Sequence, residues 1–572
     1  MVETLARSLS RSRLLASLLV RRQVEDPESA QRFLSPKLLH LHDPYLLPGM
    51  EAAVARIDDA IRRREAIAIF GDYDVDGISS TCLLYDFFRF IGYPVRYRLP
   101  NRLSEGYGLR GEGVRELAAA GIRLIVTVDN GSSAVEEVDL ARVLGVDVVI
   151  TDHHQPPEAL PCPAAHVNPL LPGSLYPFKD LAGVGVAFKL VWALAQRLSR
   201  QKKLSDELRT FLLESLALVA LGTISDVVPL LGENRILAKF GLTALQRTQR
   251  PGLKKLVEAA LDRGGDTKLD AGHVGFRLGP RINAAGRLGR AETAIDLLLA
   301  DEDAAASRLA RTLENENSRR KEIERGMTET ARELVLQSVD LSSDRAIVLG
   351  CEGWHAGVLG IVAAKIAEEF SRPTVLLTLE EGKARGSARS VPGVHICNAL
   401  SSCRQLLQGF GGHEMAAGVE LDASLLESLR AALNEAIPLE PHRMVPDVDV
   451  DAEVRLSEIT ERFVGELSLL EPFGRGNPEP LLVARGVLVV GTPRVLGEKG
   501  LHLAFMARQD SVALRAVAFD QGKLLPELAR PDTRLDLLFH PRISRWQGRT
   551  SVELHVRDIA FVRDGIPEPP VP

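Results

Sequence analysis

Three aspartates stand at alternate positions just after a short apolar run. The run covers residues 67–70, and Asp72, Asp74 and Asp76 follow it. An apolar run of this length that ends in a turn is typical of a buried strand. Carboxylates crowded at one strand end repel each other strongly unless a cation lies among them. The pattern therefore indicates a metal site, which a purely structural protein has little reason to build.

Two further apolar runs end in metal-binding residue types. One ends in Val128-Asp-Asn-Gly131 and the other in Thr151-Asp-His-His154. With an aspartate that follows a later helical stretch, the predicted metal ligands are Asp74, Asp76, Asp129, His153 and Asp226. Carboxylates and imidazole suit Mn²⁺ or Mg²⁺ rather than a thiolate-binding ion. Two such ions would lie about 3.5–4 Å apart and supply hydroxide near neutral pH, as in two-metal hydrolases.

Each of these residues also has an ordinary structural interpretation. A single aspartate here is more simply a helix N-cap or a turn residue, and only the convergence of five residues favours metal. Asp72 is a third ligand of its strand end, an acid that orients a ligand, or a cap of the next helix. His154 is a core histidine or a group that faces the phosphate. We include Asp72 and His154 as catalytic candidates.

The predicted elements bring these strand ends together. Strands at 66–71, 94–99, 122–129 and 146–151 alternate with helices, which predicts a parallel sheet covered on both faces. Ligands of such sheets bind beyond the carboxyl ends of the strands, and all three acidic runs lie at carboxyl ends. Helices at 184–199 and 206–222 follow a proline-rich loop at 156–177.

The remaining chain predicts three more parts. Residues 252–300 suggest helices around a loop at 279–287, and 302–337 one long helix. A second α/β segment begins with a strand at 345–349. The last part has about five alternating strands, which predict a small barrel. They are the segments 482–490, 501–507, 512–519, 534–539 and 551–562.

Composition sets broad limits. A chain of 572 residues should hold several domains. Its five cysteines form no C-x-x-C pair, which favours a reducing compartment. The arginine- and leucine-rich N-terminus predicts a folded helix rather than a targeting peptide, and no run resembles a membrane span. We therefore expect a cytoplasmic protein. The net charge of −6 argues weakly against a nucleic-acid coat protein, but not against an enzyme with a basic channel.

Several motifs resemble those of one enzyme family. Asp72-Tyr-Asp-Val-Asp-Gly77, the two strand ends above and Ile224-Ser-Asp-Val-Val-Pro229 resemble the DHH phosphoesterases. Later segments resemble the RecJ branch of that family, the 5′→3′ exonucleases of single-stranded DNA. They are Gly275–Gly289, Gly353–Gly360, Gly386–Ser390, Gly409–His413 and Leu470–Pro478. The resemblance extends from about residue 10 to 565, and every predicted ligand is present.

The resemblance implies an architecture and a function. It implies an N-terminal helical segment at 1–50, a DHH domain at 51–301 and a connecting helix at 302–337. A DHH-associated domain at 338–440 and an oligonucleotide-binding barrel at 446–565 follow. It also implies hydrolysis of single-stranded DNA to mononucleotides with two divalent ions, in DNA repair and recombination. A single-strand binding protein and a RecQ-type helicase are implied as partners, and we expect a monomer.

A second group of residues is implied to bind the DNA. Glycines let backbone approach an anion, and arginine binds phosphate through two donors. In the family a pocket of this kind holds the 5′-phosphate, which gives the candidates Arg102, Ser387, Arg389, Gly411, Gly412 and His413. Taken alone, the glycine-rich loop is more simply a turn. The matching motifs add Arg281, Asn283, Arg287 and His355 as substrate-binding candidates, although Arg281 and Arg287 could equally be paired with acids.

The barrel would bind the incoming strand by stacking bases on aromatic side chains. Phe505, Phe519, Phe539 and Trp546 are candidates, although aromatic residues in strands usually lie in the core. Three alternatives remain at this point: a DHH enzyme of short oligoribonucleotides or cyclic dinucleotides, a strand-binding scaffold without catalysis, and a pyrophosphatase. The 446–565 region argues against the first, and the length of the chain against the last.

Overall fold

The computed structural model describes residues 1–102, 105–199, 204–261, 268–438, 448–497, 500–546, 549–563 and 566–567. For residues 545, 546, 563, 566 and 567 it describes the backbone alone. The chain forms two compact units. The first unit contains residues 1–41, 229–239 and 448–572, and the second contains residues 42–228 and 240–447.

Helices occur in both units and are numbered along the chain. They are α1 Val2–Leu9, α2 Arg13–Arg21, α3 Pro27–Leu34, α4 Met50–Arg63, α5 Val75–Phe90, α6 Gly111–Ala119, α7 Val135–Val143, α8 Gly183–Ser199, α9 Asp206–Ser225, α10 Gly232–Arg247, α11 Pro251–Ala260, α12 Ala271–His273, α13 Gly279–Leu288, α14 Glu292–Leu298, α15 Asp303–Ser338, α16 Ala356–Phe370, α17 Ile396–Ser402, α18 Leu426–Ala436, α19 Glu461–Leu467 and α20 Leu525–Leu528.

Among the described residues, strands form two sheets in the second unit and one in the first. They are β1 Ile67–Phe70, β2 Val95–Arg98, β3 Leu124–Val128, β4 Asp147–Thr151, β5 Ala165–Val167, β6 Ile347–Glu352, β7 Thr374–Glu380, β8 Lys383–Arg389, β9 Gly409–Gly412, β10 Ala416–Asp422, β11 Ala452–Glu453, β12 Leu482–Leu496, β13 His502–Gln509, β14 Val512–Ala518, β15 Arg534–Trp546, β16 Arg549–Arg563 and β17 Ile566–Pro567.

The first sheet of the second unit is parallel throughout, in the order β2-β1-β3-β4-β5. Strands β1 and β3 are buried along their whole length, because the sheet is covered on both faces. The predicted parallel sheet is confirmed. One detail of the prediction is wrong, since the edge strand β5 lies within the segment 156–177 that the prolines predicted to be a loop.

Helix α13 corrects a second detail, because the sequence predicted a loop at 279–287. Pro280 lies in its first turn, directly after a π-helical turn at Val274–Leu278 that leads into α13 without a break. Its glycines serve close packing: a Cβ on Gly279 would lie 2.7 Å from Ser225 Oγ, and one on Gly286 would lie 2.7 Å from the carbonyl oxygen of Tyr73. The helix thus packs against the residue beside Asp226 and against the β1–α5 turn.

Helix α9 is long and apolar enough to span a membrane by length and composition, with a mean hydropathy of 1.5 over 18 residues. However, 61% of that stretch is buried inside the protein, as in a core helix, and the rest of the described chain contains no second helix of this kind.

The 36-residue helix α15 leads into the second sheet and confirms the predicted connecting helix. That sheet has the order β6-β7-β8-β10-β9, with a parallel β6–β7 pair and antiparallel pairs elsewhere. In the first unit, β12, β13, β14, β16 and β15 close into a barrel through the β12–β15 pair, which confirms the predicted barrel. Helices α1–α3 share its hydrophobic core. The predicted domain limits remain predictions.

Candidate metal centre and phosphate site

The predicted metal ligands of the strand ends meet at one edge of the parallel sheet. Asp72 and Asp74 follow β1, Asp129 follows β3, and His153 follows β4, and these three strands are neighbours. Asp226 joins them from the carboxyl end of α9. Parallel strands place their carboxyl ends at the same edge, which explains why residues about 150 positions apart converge.

We call the converging residues the acidic cluster; they are Asp72, Asp74, Asp76, Asp129, His153, His154 and Asp226. Three overlapping sets within it each bring three ligand atoms within 4.8 Å of one another. One set is Asp72, Asp74 and Asp129, and a second is Asp76, His153 and Asp226. The third contains Asp129 and both histidines. Shared members are what a site for more than one ion needs.

Several ligand atoms of the cluster are buried without a hydrogen bond among the described residues. They include both carboxylate oxygens of Asp72, Asp129 Oδ1 and His153 Nε2. His153 Nε2 lies 3.1 Å from Asp129 Oδ1, but the two atoms are not aligned as a hydrogen bond. Burial, and then the charge of His154, lowers the pKa of His153 to about 4, so its imidazole is neutral at pH 7. Unpaired buried acceptors of this kind fit a bound cation.

Repulsion within the cluster is visible in its pKa values. Burial, and then the charge of Asp74, raises the pKa of Asp72 well above its ordinary value and that of Asp76 to about 7. Burial and the charge of Asp76 raise the pKa of Asp129 in the same way. Because like charges in a buried site disfavour ionisation, divalent ions would relieve this repulsion.

The N-terminus of α8 holds Asp76 in place. Its carboxylate accepts hydrogen bonds from the backbone N–H of Gly183 at 2.7 Å and of Val184 at 3.0 Å. A Cβ on Gly222 would lie 2.6 Å from Asp76 Oδ1, and one on Gly183 would collide with the Asp129 carboxylate. Glycine at these two positions therefore lets α8 and α9 contact the acids directly.

His154 is held by groups different from those around His153. Its Nδ1 lies 2.8 Å from Asp152 Oδ1, and its ring is also within 3.2 Å of the hydroxyl of Tyr107. Burial alone lowers the pKa of His154, but the hydrogen bond and charge of Asp152, with the charges of Asp226 and Asp74, outweigh burial and raise the pKa to about 9. His154 is thus a cationic, half-exposed side chain beside a neutral His153.

The structure decides between two interpretations of the first aspartates. Asp74 caps α5, since its Oδ1 accepts the N–H of Gly77 at 2.9 Å, while it also belongs to the cluster. The cap interpretation of Asp72 is wrong, because neither of its oxygens has a hydrogen-bond partner among the described residues.

Three of the predicted DNA-binding arginines are near neighbours; we call Arg102, Arg287 and Arg389 the arginine group. Burial, followed by the charges of Arg102, Arg320 and Arg389, lowers the pKa of Arg287 to about 9. Burial and the charge of Arg102 also lower the pKa of Arg389. Arg102 lies over the ring of Tyr73, 4.9 Å from its centroid. Cations that are destabilised by burial and by each other's charge suit a bound anion such as phosphate.

The second sheet places Ser387 beside this group. Arg389 donates to Ser387 Oγ at 2.7 Å, and a Cβ on Gly360 would lie 2.6 Å from a guanidinium nitrogen of Arg389. Arg287 donates to the carbonyl oxygen of Gly357 at 2.9 Å. The predicted contact residue His355 caps α16, because its ring accepts the N–H of Gly357 at 3.1 Å.

The glycine-rich segment is a strand rather than the predicted loop. Gly411 and Gly412 lie in the exposed strand β9, and His413 follows it, also exposed. Gly411 pairs with Gly418 of β10, which pairs with Ser387 of β8, so Gly411 is two strands from Ser387. Two strand spacings are about 10 Å.

Arg281 is paired with an acid and with backbone carbonyl groups. Its Nε contacts Glu314 at 2.6 Å, and its other nitrogens donate to the carbonyl oxygens of Arg277 and Ala259. These contacts join α11, α13 and α15 and match the pairing with an acid that the sequence left open beside a substrate contact, while the substrate role of Arg281 stays a prediction. Asn283 lies half-buried on the same helix α13.

The aromatic candidates of the barrel separate by burial. Phe505 and Phe539 are core residues at 3% and 0% exposure, whereas Phe519 is 49% exposed. The ring of Phe519 contacts those of His502 and His555 edge-on, with a centroid distance of 5.4 Å in each pair. The side chain of Trp546 lies outside the described residues.

Sequence reasoning missed several residues of the cluster. Tyr107, whose hydroxyl donates to the carbonyl oxygen of Asp129 at 2.8 Å, lies in a turn without a periodic signal. Asp152 accepts the N–H groups of Ser132, His153 and His154, and its position between a strand and two histidines was a usable signal.

Three family descriptions match the chain in order. Residues 66–223 match the DHH family, N-terminal domain; residues 343–438 match the DHHA1 domain; and residues 450–558 match the RecJ OB domain.

Curated relatives match almost the whole chain. A single-stranded-DNA-specific exonuclease RecJ of Bacillus subtilis (strain 168) is 40% identical over 565 residues, which cover 98% of this chain and 69% of the relative. The protein of that name from Dickeya dadantii (strain 3937) is 36% identical over 563 residues, 96% of each chain.

Solved structures agree with these relatives. The crystal structure of RecJ in complex with Mn²⁺ from Thermus thermophilus is similar at a TM-score of 0.81 and 33% identity, over 98% of this chain and 77% of that chain. The corresponding Mg²⁺ complex has a TM-score of 0.75 at 32% identity, over 98% and 76%.

Proposed function

Because this chain belongs to the RecJ family of DHH exonucleases, we propose that it degrades single-stranded DNA from the 5′ end to mononucleotides, using divalent metal ions. The observation that carries the proposal is the acidic cluster. Carboxylates and imidazoles from three strand ends and α9 lie together there, and among the described residues Asp72, Asp129 Oδ1 and His153 Nε2 are buried without hydrogen-bond partners.

The proposed ligands of the ions are Asp74, Asp76, Asp129, His153 and Asp226, with Mn²⁺ or Mg²⁺ as the ions. Two ions bound there would supply a hydroxide near neutral pH and stabilise the charge of the phosphodiester under attack. The unpaired oxygens of Asp72 and the overlapping ligand sets support the fit. Asp72 and His154 are the proposed catalytic residues.

The chain's own residues would position the DNA. His154, held by Asp152 and Tyr107, presents a cationic ring beside the ligands and can donate a hydrogen bond to a phosphate oxygen. The arginine group and Ser387 would hold the 5′-phosphate, which fixes the bond that lies at the cluster. Gly411, Gly412, His413, His355 and Asn283 remain proposed as further DNA contacts.

A comparison of substrates tests the proposal. We expect release of mononucleotides in Mn²⁺ from a 5′-phosphorylated single strand with a label at its 3′ end, whereas blunt duplex DNA should resist. Faster hydrolysis of dinucleotides than of the long strand would favour the other DHH phosphoesterases. Failure to release mononucleotides from any strand in Mn²⁺ would favour a binding scaffold.

The biological setting is proposed in the same way. We propose action in DNA repair and recombination in the cytoplasm, with a single-strand binding protein and a RecQ-type helicase as partners, and a monomeric state. Light scattering of the purified protein tests the last point, and a dimer at micromolar concentration would contradict it.

A further inference from the structure

Helix α13 runs along one side of the acidic cluster, within the second unit. Near its carboxyl end, a Cβ on Gly286 would lie 2.7 Å from the carbonyl oxygen of Tyr73 in the β1–α5 turn. Seven residues earlier, a Cβ on Gly279 would lie 2.7 Å from the Oγ of Ser225, which directly precedes Asp226. Seven residues of helix span about 10 Å, so α13 passes the cluster from its Tyr73 side to its Asp226 side.

The carboxyl end of α13 belongs to the arginine group. Arg287 follows Gly286 directly and donates to the carbonyl oxygen of Gly357, and Arg102 and Arg389 are its charged neighbours. In the proposed function this group holds the 5′-phosphate, and the bond to be cleaved lies at the cluster. The shortest course for the strand beyond that bond runs on past the cluster, towards the amino end of α13.

An exposed phenylalanine lies at that amino end. Phe276 is 85% exposed, compared with 49% for Phe519 and 44% for Phe90. It belongs to the π-helical turn Val274–Leu278, and such turns are rare and are frequently found at functional sites. A single exposed apolar side chain is ordinary on a protein surface. The position of Phe276, rather than its exposure alone, therefore indicates a function.

Helical spacing puts Phe276 in line with residues of the proposed DNA site. Arg277 and Arg281 donate to backbone carbonyl groups at the end of α11, which covers that side of the helix. Spacings of seven and four residues place Phe276, Asn283 and Arg287 on another side. An aromatic ring, an amide and a guanidinium thus follow one another along the cluster. Stacking surfaces together with positive charge are what proteins use to bind single strands.

The length of this row corresponds to a few nucleotides. Eleven residues of helix from Phe276 to Arg287 span about 16 Å. A stacked strand advances about 3.4 Å per nucleotide, and an unstacked strand advances further. A strand whose 5′-phosphate lies at Arg287 therefore reaches Phe276 within about five nucleotides.

We propose that the ring of Phe276 stacks on a base of the single strand, within about five nucleotides of the 5′ end. This inference rests on the proposed function, because the 5′-phosphate and the cluster set the direction of the strand. It adds a base contact to a site whose proposed arginine contacts are to phosphate. Because every base has a face that can stack, the contact imposes no sequence preference.

Removal of the ring tests the contact. Phe276→Ala should weaken metal-free binding of a 5′-phosphorylated octanucleotide by about fivefold or more, the scale of one base stacked on an aromatic side chain. Fluorescence anisotropy measures the affinity. Phe276→Leu should resemble Phe276→Ala, whereas Phe276→Trp keeps an aromatic face and should bind as tightly as wild type. The matched control is Phe90→Ala, which removes another exposed phenylalanine of the second unit and should leave the affinity unchanged.

Strands with one abasic nucleotide locate the stacked base. In wild type, an abasic nucleotide at one position near the 5′ end should weaken binding through loss of the stack. At that position Phe276→Ala should add no further loss, whereas elsewhere the two losses should add, as independent contacts do. If the losses add at every position of the octanucleotide, the stacking contact is overturned.

The outcomes separate this inference from the proposed function. If wild type releases mononucleotides in Mn²⁺ and Phe276→Ala binds the octanucleotide as tightly as wild type does, the exonuclease assignment stands and the stacking contact is overturned. If wild type releases no mononucleotides but the abasic series still places a Phe276-dependent loss near the 5′ end, the proposed hydrolysis fails and the base contact stands.

Discussion

The acidic cluster brings negative charges close together, and the arginine group brings positive charges close together. The fold achieves this in a different way for each group. The cluster lies at adjacent strand ends of one parallel sheet, and three of its carboxylates, those of Asp72, Asp76 and Asp129, are at most 2% exposed. The arginine group is half-buried and comes from three distant parts of the chain, a turn after β2, helix α13 and strand β8. Each group crowds charge that a bound ion of the opposite sign would neutralise.

The difference concerns what each group can hold. Buried carboxylates fixed by backbone N–H groups, as Asp76 is by Gly183 and Val184, form a rigid site that suits small ions which stay bound. Longer, partly exposed arginine side chains suit an anion that must enter and leave at every turnover. A cation site that keeps its ions and an anion site whose ligand exchanges would together suit the proposed removal of one terminal nucleotide after another.

The largest expected effect comes from breaking the cluster. Asp129→Asn should abolish cleavage, because Asp129 belongs to two of the three ligand sets. Binding of single-stranded DNA without metal should remain measurable. The assay is mononucleotide release in Mn²⁺, with the exposed Asp422→Asn as the control that keeps activity. Turnover in Asp129→Asn would remove Asp129 from the ligand set.

The same substitution should have opposite effects on stability with and without metal. In EDTA, Asp129→Asn should raise Tm, because it removes a carboxyl group whose ionisation is disfavoured by burial and then by the charges of Asp76 and Asp74, which raise its pKa. In Mn²⁺ at about a hundred times its Kd, wild type should gain about 2.7 kcal/mol of unfolding free energy per site, and the variant less. Thermal unfolding in both buffers measures this, and a lower Tm of the variant in EDTA would show that the carboxylate is not strained by its neighbours.

The arginine group should affect end preference rather than chemistry. Arg389→Ala should weaken the preference for a 5′-phosphate over a 5′-hydroxyl by about 1.5–3 kcal/mol, the scale of a hydrogen bond to a charged group. The ratio of kcat/KM for the two ends measures it. Arg385→Ala is the control, since Arg385 lies on the same strand but is exposed and paired with Glu420. If Arg389→Ala and Arg385→Ala prefer a 5′-phosphate over a 5′-hydroxyl to the same extent, Arg389 does not bind the 5′-phosphate.

The two groups also differ in how far the sequence could predict their residues. Asp72, Asp129 and His153 could be found because each follows an apolar run, and the geometry of parallel sheets brings such ends together. No local pattern places Arg102 beside Arg389, and only the family resemblance did so. The partner of Arg281 could not be predicted from its motif either, because Glu314 lies 33 residues away on α15.

Glycine and proline misled the prediction where they serve packing. Gly279, Pro280 and Gly286 were interpreted as loop residues, yet they let α13 approach Ser225 and Tyr73. The packing of α1–α3 into the barrel core could not be predicted either, because about 450 residues separate Leu34 from the first barrel strand at Leu482. Long-range packing of this kind leaves no periodic signal.

The smallest expected effect concerns the barrel, where binding is spread over many contacts. Phe519→Ala should weaken binding of a long single strand by about 1 kcal/mol, the lower end of the range for stacking one base on an aromatic ring. Hydrolysis of a dinucleotide should not change. Fluorescence anisotropy without metal measures the affinity, and two control variants make the test more specific.

Phe519→Leu keeps apolar surface but loses the ring, so its binding should resemble that of Phe519→Ala. Phe90→Ala removes a phenylalanine of similar exposure, 44%, from the second unit and should bind as wild type does. Equal loss in Phe519→Ala and Phe90→Ala would mean that exposed apolar surface, rather than stacking beside His502 and His555, supports the strand.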